Sequence, residues 1–255
     1  MSDPVVPLRE GPLDKAIAVG LWGAGLAWLT PMMLSMMASG GLLGHTHIDG
    51  LNRLYCRGQV AMTGARWRAV VHPDVDPGTP YLFAQNHVNL LDHVSMYPAT
   101  PHFKQGMELE SHFKIPVYGW FMKARGTIPV RRGRGDAERD FLRQGMRATV
   151  DKGHSILAFP EGTRTLDGRV GRFRKGLFYL ARDLELPIVP TAVTGMYEIL
   201  RKGSWLMRPG RVVTVYCDAP IPTKGLSDDA IEDLAEQVRS VVAARVDAHW
   251  EGDHG

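Results

Sequence analysis

The sequence predicts an α/β fold: a mixed, largely parallel central sheet flanked by helices, behind a long apolar segment at the N-terminus. Three observations carry this expectation. Short apolar runs alternate with helical patterns through most of the chain. The runs are apolar on consecutive residues, as strands covered on both faces are. Residues 16–44 contain no charged side chain. With 255 residues, the chain has the length of one ordinary domain with a substantial core.

The apolar segment is long enough for a bilayer crossing, which needs about 20 residues as a helix. Pro31 lies near its middle, and its second half is rich in Met, Ser and Gly. A single kinked span, a cleaved signal peptide, a helix–break–helix hairpin entering one leaflet and a buried soluble helix pair all fit the pattern. The signal peptide fits worst, because the run is overlong and only Arg9 and Lys15 form a basic leader. Membrane attachment through a segment spanning residues 1–58, followed by an α/β domain over residues 59–255, is the expected organisation.

Strands are expected at 66–71, 81–85, 127–130, 155–159, 188–193 and 211–217. In 137–151, Leu142, Met146 and Val150 recur at four-residue spacing and mark a helix. A second helix over 175–186 is stopped by Pro187. The last, over 228–247, has Ser227 as an N-cap and Ile231, Leu234, Ala235, Val238, Val241 and Val242 on one face.

Composition excludes several classes. Hydrophobic residues at 44% and charged residues at 22% are unlike disordered, collagen-like or coiled-coil chains. A net charge of +3 suits an anionic lipid surface and nucleic acid equally. The cysteines, Cys56 and Cys217, are too few for a disulfide framework or a tetrahedral zinc cage, so a reducing, cytosol-facing compartment is expected.

Chemistry-bearing residues gather directly after predicted strands. Asn86-His87-Val88-Asn89-Leu90-Leu91-Asp92 follows the strand at 81–85. A His and an Asp five apart at a strand end can fold so that the carboxylate meets one imidazole nitrogen, fixing the tautomer while the other nitrogen takes a proton. Phe159-Pro160-Glu161-Gly162-Thr163-Arg164-Thr165 follows the strand at 155–159. There Gly162 permits close backbone approach, Arg164 offers a planar fork for phosphate, and Thr163 adds a hydroxyl. Basic residues without acids run from Lys123 to Arg134 around Gly126-Thr127-Ile128-Pro129-Val130-Arg131-Arg132, and again from Arg169 to Lys175. Such clusters are usually solvated faces. Flanking the two motifs, they suggest an anion site assembled from several loops at one sheet edge.

Taken together, these blocks resemble the 1-acylglycerol-3-phosphate O-acyltransferase family of the glycerophospholipid acyltransferase superfamily. Asn86, His87 and Asp92 match its Asn-His-x4-Asp block, Gly126 through Arg132 its second block, and Phe159–Arg164 its Phe-Pro-Glu-Gly-Thr-Arg block. The strand Ile188-Val189-Pro190-Thr191-Ala192-Val193 matches the fourth. The match covers roughly residues 60–220. It departs from many relatives at Asn89, Pro129 and Arg131, near the implied acceptor site.

The resemblance implies an enzyme that moves a fatty acyl group from acyl carrier protein or acyl-CoA to lysophosphatidic acid, giving phosphatidic acid. His87 would be the base and Asp92 its orienting carboxylate. Asn86, Gly126, Arg132, Glu161, Gly162, Thr163, Arg164 and Lys175 would hold the acceptor, and Pro190 would shape the acyl or donor pocket. It implies no bound cofactor or metal, and it favours an N-terminal helical membrane hairpin on the cytoplasmic face of the inner membrane. The same chemistry on another lysolipid, a lyso-ornithine lipid or glycerol 3-phosphate is the alternative. A metal-dependent hydrolase built on His87, Asp92 and His93 is a more distant one. Nucleic acid is not an expected partner, because the basic patches lack interleaved aromatics apart from Phe173.

Overall fold

The computed structural model describes residues 11–43, 45–131, 133 and 135–252. Two helices come first, α1 (Pro12–Leu43) and α2 (Asp49–Met62). Strand β1 (Arg66–Val71) opens the sheet and β2 (Leu82–Gln85) follows it. The chain continues through α3 (Asp92–Met96), β3 (Lys104–Leu109), α4 (Tyr118–Ala124), β4 (Ile128–Val130) and α5 (Asp136–Val150). It then forms β5 (Ser155–Ala158), α6 (Gly176–Asp183), β6 (Ile188–Thr194), α7 (Met196–Ile199), β7 (Val212–Cys217) and α8 (Ala230–Gly252).

The seven-stranded sheet has the order β1-β7-β6-β2-β5-β3-β4. Every neighbouring pair is parallel except β6 and β7. The sheet is therefore mixed and largely parallel, as expected. Alternate residues feed opposite layers. Leu82, Ala84, Ile156, Ala158 and Ile188 pack with Phe178 of α6 and with Ile231, Leu234, Val238 and Val242 of α8. Phe83, Leu157, Val189 and Val193 face the other way, onto Met196, Ile199, Leu206 and Met207. The α8 face is the one its periodicity predicts, extended by one turn to Val246.

β3 is a strand the apolar pattern did not reveal. Its sequence, Lys-Gln-Gly-Met-Glu-Leu, opens on a charge. Lys104 is nevertheless buried, and its ammonium donates to the carbonyls of Tyr97, Thr100 and His102 at 2.9, 3.1 and 3.1 Å. Satisfying all three donors makes the burial tolerable.

The N-terminal hairpin exists, but its turn differs from the sequence expectation. α1 is continuous through Pro31 for 32 residues, about 48 Å at 1.5 Å per residue. The reversal comes after residue 43, through a short 3-10 turn at His45–Ile48. The second arm is α2, which is amphipathic rather than apolar and continues to Met62, past the boundary expected at residue 58. α1 lies along the domain. Its Ala18 is buried at one end and Met36 at the other, within clusters that also contain Met207 and Phe121 respectively. Trp22 donates to the carbonyl of Trp205 at 2.7 Å and Trp28 to that of Tyr55 at 3.1 Å, so both tryptophans pack inward at least in part.

Candidate active site

β2 and β5 are adjacent and parallel, with Ala84 opposite Ala158. Their C-terminal ends therefore leave the sheet at one edge, and the two motifs begin side by side. His87 and Glu161 lie three residues beyond that pair. Glu161 Oε1 accepts the His87 backbone N–H at 2.9 Å, and the His87 ring stacks on Phe159 with centroids 4.0 Å apart.

The turn 86–92 closes on Asp92. Its Oδ2 lies 2.8 Å from His87 Nδ1 and accepts the backbone N–H groups of Val88 at 2.7 Å and Asn89 at 2.8 Å. A carboxylate only accepts, so Nδ1 carries the proton and Nε2 keeps its lone pair. The ring is 22% exposed whereas the Asp92 side chain is 1% exposed. Burial pushes the Asp92 carboxyl above its ordinary range, against the pull of the His87 hydrogen bond and charge. Asp92 Oδ1 is buried and has no hydrogen-bond partner among the described residues. A carboxylate so placed fixes the orientation of the His87 ring.

Glu161 braces the neighbouring loops. Its second oxygen accepts the Gly171 N–H at 3.2 Å, Thr165 N donates to the His87 carbonyl at 2.8 Å, and Arg174 N donates to the Pro160 carbonyl at 2.9 Å. Burial raises the Glu161 pKa against the pull of these hydrogen bonds. Gly162 has φ +70°, and a Cβ there would lie 2.9 Å from the Arg174 guanidinium carbon. Glycine thus lets Arg174 cross close to the loop.

His87 stands on a cleft of about 1710 Å³. Its lining includes the basic side chains of Arg131, Arg139, Arg164, Arg172, Arg174 and Lys175. It also includes apolar ones, among them Leu21, Leu26, Leu29 and Met33 of α1 and Phe121 and Met122 of α4. Lys175 pairs with Glu232 at 2.6 Å and Arg131 with Glu110 at 3.1 Å.

Among the residues singled out from sequence, His87, Gly162, Arg164 and Lys175 line the cleft, with Asp92 and Glu161 directly behind them. Four others are placed elsewhere. Asn86 is buried, its amide donating to the Val193 carbonyl at 3.0 Å and accepting from the Val193 N–H at 2.8 Å, so it ties β2 to β6. Pro190 is inside the sheet opposite Ala84. Gly126, at φ +68°, turns the chain into β4 at the strand end remote from His87. Thr163 is exposed and accepts from Lys202 at 3.0 Å. Arg132 lies outside the described residues.

Glu108 and Tyr118 also line the cleft without having been singled out as site residues. His93, named from sequence only in the hydrolase alternative, lines it too. Burial, with a smaller contribution from the Arg125 charge, pushes its pKa down to about 3, so it serves as a neutral polar group.

This site lies within a recognisable family. Residues 68–194 match the acyltransferase family model, and the chain belongs to that family. It is 33% identical over 166 residues to the chloroplastic 1-acyl-sn-glycerol-3-phosphate acyltransferase BAT2 of Brassica napus, covering 64% of this chain and 48% of that protein. The 1-acyl-sn-glycerol-3-phosphate acyltransferase of Saccharomyces cerevisiae is 30% identical over 169 residues, covering 63% of this chain and 53% of its own length. The chain thus spans about half the length of these relatives. The fold is shared with the crystal structure of the 1-acyl-sn-glycerophosphate acyltransferase PlsC from Thermotoga maritima. That comparison has a TM-score of 0.75 at 19% identity and covers 92% of this chain and 95% of that one.

Proposed function

We propose that the protein transfers a fatty acyl group from a thioester to the free hydroxyl of lysophosphatidic acid, forming phosphatidic acid. One observation carries the reading: an Asp92-anchored His87 stands on a cleft lined by both basic and apolar side chains. An acceptor with an anionic head needs the basic groups, and an acyl chain needs the apolar ones.

His87 Nε2 removes the hydroxyl proton as the oxygen attacks the thioester carbonyl. The tetrahedral adduct collapses by breaking the C–S bond, and the departing thiolate takes the proton from His87. Asp92 holds the ring and stabilises the transient imidazolium. The acyl group passes directly to the acceptor. Arg164, Arg174 and Lys175 hold the phosphate, while Glu161 keeps the His87 loop in place. Coenzyme A or acyl carrier protein thioester is the co-substrate, and no bound cofactor takes part.

The N-terminal unit, expected over residues 1–58, is the membrane attachment. α1 is long and apolar enough to cross a bilayer, and its most apolar stretch is 6% buried. Its packing along the domain at Ala18 and Met36 supports a helix lying in one leaflet over a crossing. The cytoplasmic face of the inner membrane fits the two thiol cysteines and a thioester donor.

The test is thiol release by protein in detergent with a panel of acceptors. Lysophosphatidic acid should support turnover with either donor, well above lyso-ornithine lipid, lysophosphatidylcholine or glycerol 3-phosphate. Equal or greater turnover with an acceptor lacking the phosphate would contradict the acceptor assignment.

A further inference from the structure

The segment Ile115-Pro116-Val117-Tyr118-Gly119-Trp120 is absorbed neither by the core nor by the chemistry. Ile115 is 47% exposed, Val117 39% and Trp120 57%. Apolar residues this close together and turned to solvent mark an interaction surface more often than chance.

Their outward aim is built in. Tyr118 N donates to the Pro116 carbonyl at 2.7 Å across Val117, whose φ is 66° and ψ −58°. That is a γ-turn of the rare, strained hand, and a β-branched residue occupies its centre. Gly119 N donates to the Ile115 carbonyl at 2.7 Å and Phe121 N to the Val117 carbonyl at 2.9 Å, so the turn is fixed to α4. The backbone holds a strained shape whose visible result is the exposure of apolar side chains.

Charge and position name the occupant. From Ser111 to Arg125 the chain contains Lys114, Lys123 and Arg125 but no acid. Lys114 and Lys123 are exposed. α4, which the segment enters, packs on α1, and Gly40 of α1 lies against Ala124. On α1, Val19, Leu26 and Leu34 are 63%, 55% and 54% exposed. Tyr118 also lines the cleft. An exposed apolar loop with a basic flank, leading into a helix that packs on the exposed apolar α1 and adjoining the cleft, has the chemistry that an anionic bilayer surface takes.

We infer that residues 115–120 form a second lipid-contacting element, inserting Ile115, Val117 and Trp120 into an anionic bilayer beside α1. This rests on the membrane-attachment reading above. Both buried cysteines, Cys56 and Cys217, allow single-site labelling elsewhere.

A fluorophore on Trp120→Cys, with a separate one on Val19→Cys of α1, reads each element independently in phosphatidylglycerol-containing vesicles. The label at 120 should become shielded from aqueous iodide and quenched by doxyl groups on lipid tails. Ile115→Ser combined with Trp120→Ser should weaken vesicle binding by about 10-fold or more, with turnover of short-chain soluble substrates retained. Tail quenching at 19 without quenching at 120 overturns the inference alone, whereas quenching at neither site removes the membrane reading itself. Shielding at 120 before vesicles are added indicates a second copy of the chain and also overturns it.

Discussion

The turn that carries His87 and the basic rim beside it are built on opposite principles. In the turn, each polar contact is short and mostly buried: Asp92 Oδ2 gathers His87, Val88 and Asn89 within 2.8 Å, and Glu161 holds the His87 N–H from outside. At the rim, Arg172 is 80% exposed and meets Glu232 only at 3.8 Å. Arg164 and Arg174 make no ion pair among the described residues. The turn thus fixes the reacting nitrogen in advance of substrate, which is what general-base geometry demands. The rim therefore offers Arg164 and Arg174 to an anion, whereas Lys175 and Arg131 are paired with Glu232 and Glu110. On the proposed function, reaction type would reside in the first region and acceptor choice in the second.

Substitutions should separate the two. His87→Ala removes the base and should lower turnover by about 100- to 10,000-fold. Stability should fall by about 1 kcal/mol, because buried Asp92 loses one hydrogen-bond partner while its Oδ2 keeps the Val88 and Asn89 N–H groups. Asp92→Ala should lower turnover similarly but also cost about 2–4 kcal/mol, since the Val88 and Asn89 N–H groups lose their acceptor. Denaturant titration beside the kinetics would show this divergence. Asp92→Asn keeps one acceptor oxygen and should fall between the two in stability.

At the rim, Arg164→Ala or Arg174→Ala should raise KM for lysophosphatidic acid by about 10- to 100-fold, the value of a charged hydrogen bond or two. kcat should change far less. A collapse of kcat with unchanged KM would erase the distinction between the regions.

Glu161 gives the smallest effect, on stability. Its folded pKa is raised by burial, so its contribution is complete below the ordinary carboxylate range and is lost as pH rises through the folded value. Melting temperature between about pH 4 and about pH 8 should therefore decline with pH more steeply in the native protein than in Glu161→Gln. Asp92 shifts in the same direction in both proteins and cancels in the comparison. An identical pH slope would mean that Glu161 titrates alike folded and unfolded.

The same contrast explains what could be read from sequence. Six strands announced themselves through apolar runs, but β3 did not, because Lys104, Gln105 and Glu108 find their partners only in the folded protein or face the cleft. Pro31 suggested a break because proline usually ends a helix, yet α1 continues through it and turns after residue 43. His87 and Asp92 were legible because their spacing is local. Glu161 was legible as a letter of a motif but not as a brace, since its two acceptor bonds run to His87 and to Gly171. Asn86, Thr163 and Pro190 belong to the same blocks, yet their side chains serve β6, Lys202 and the sheet interior.

The central claim is that His87 activates the acceptor for direct attack on the thioester. Rapid-mixing measurement of thiol release, with and without lysophosphatidic acid, tests it on the native protein and on His87→Ala. The account predicts release only when acceptor is present, without an initial burst, and near-complete loss in His87→Ala. A stoichiometric burst of thiol before acceptor is added, or undiminished release in the variant, would contradict it.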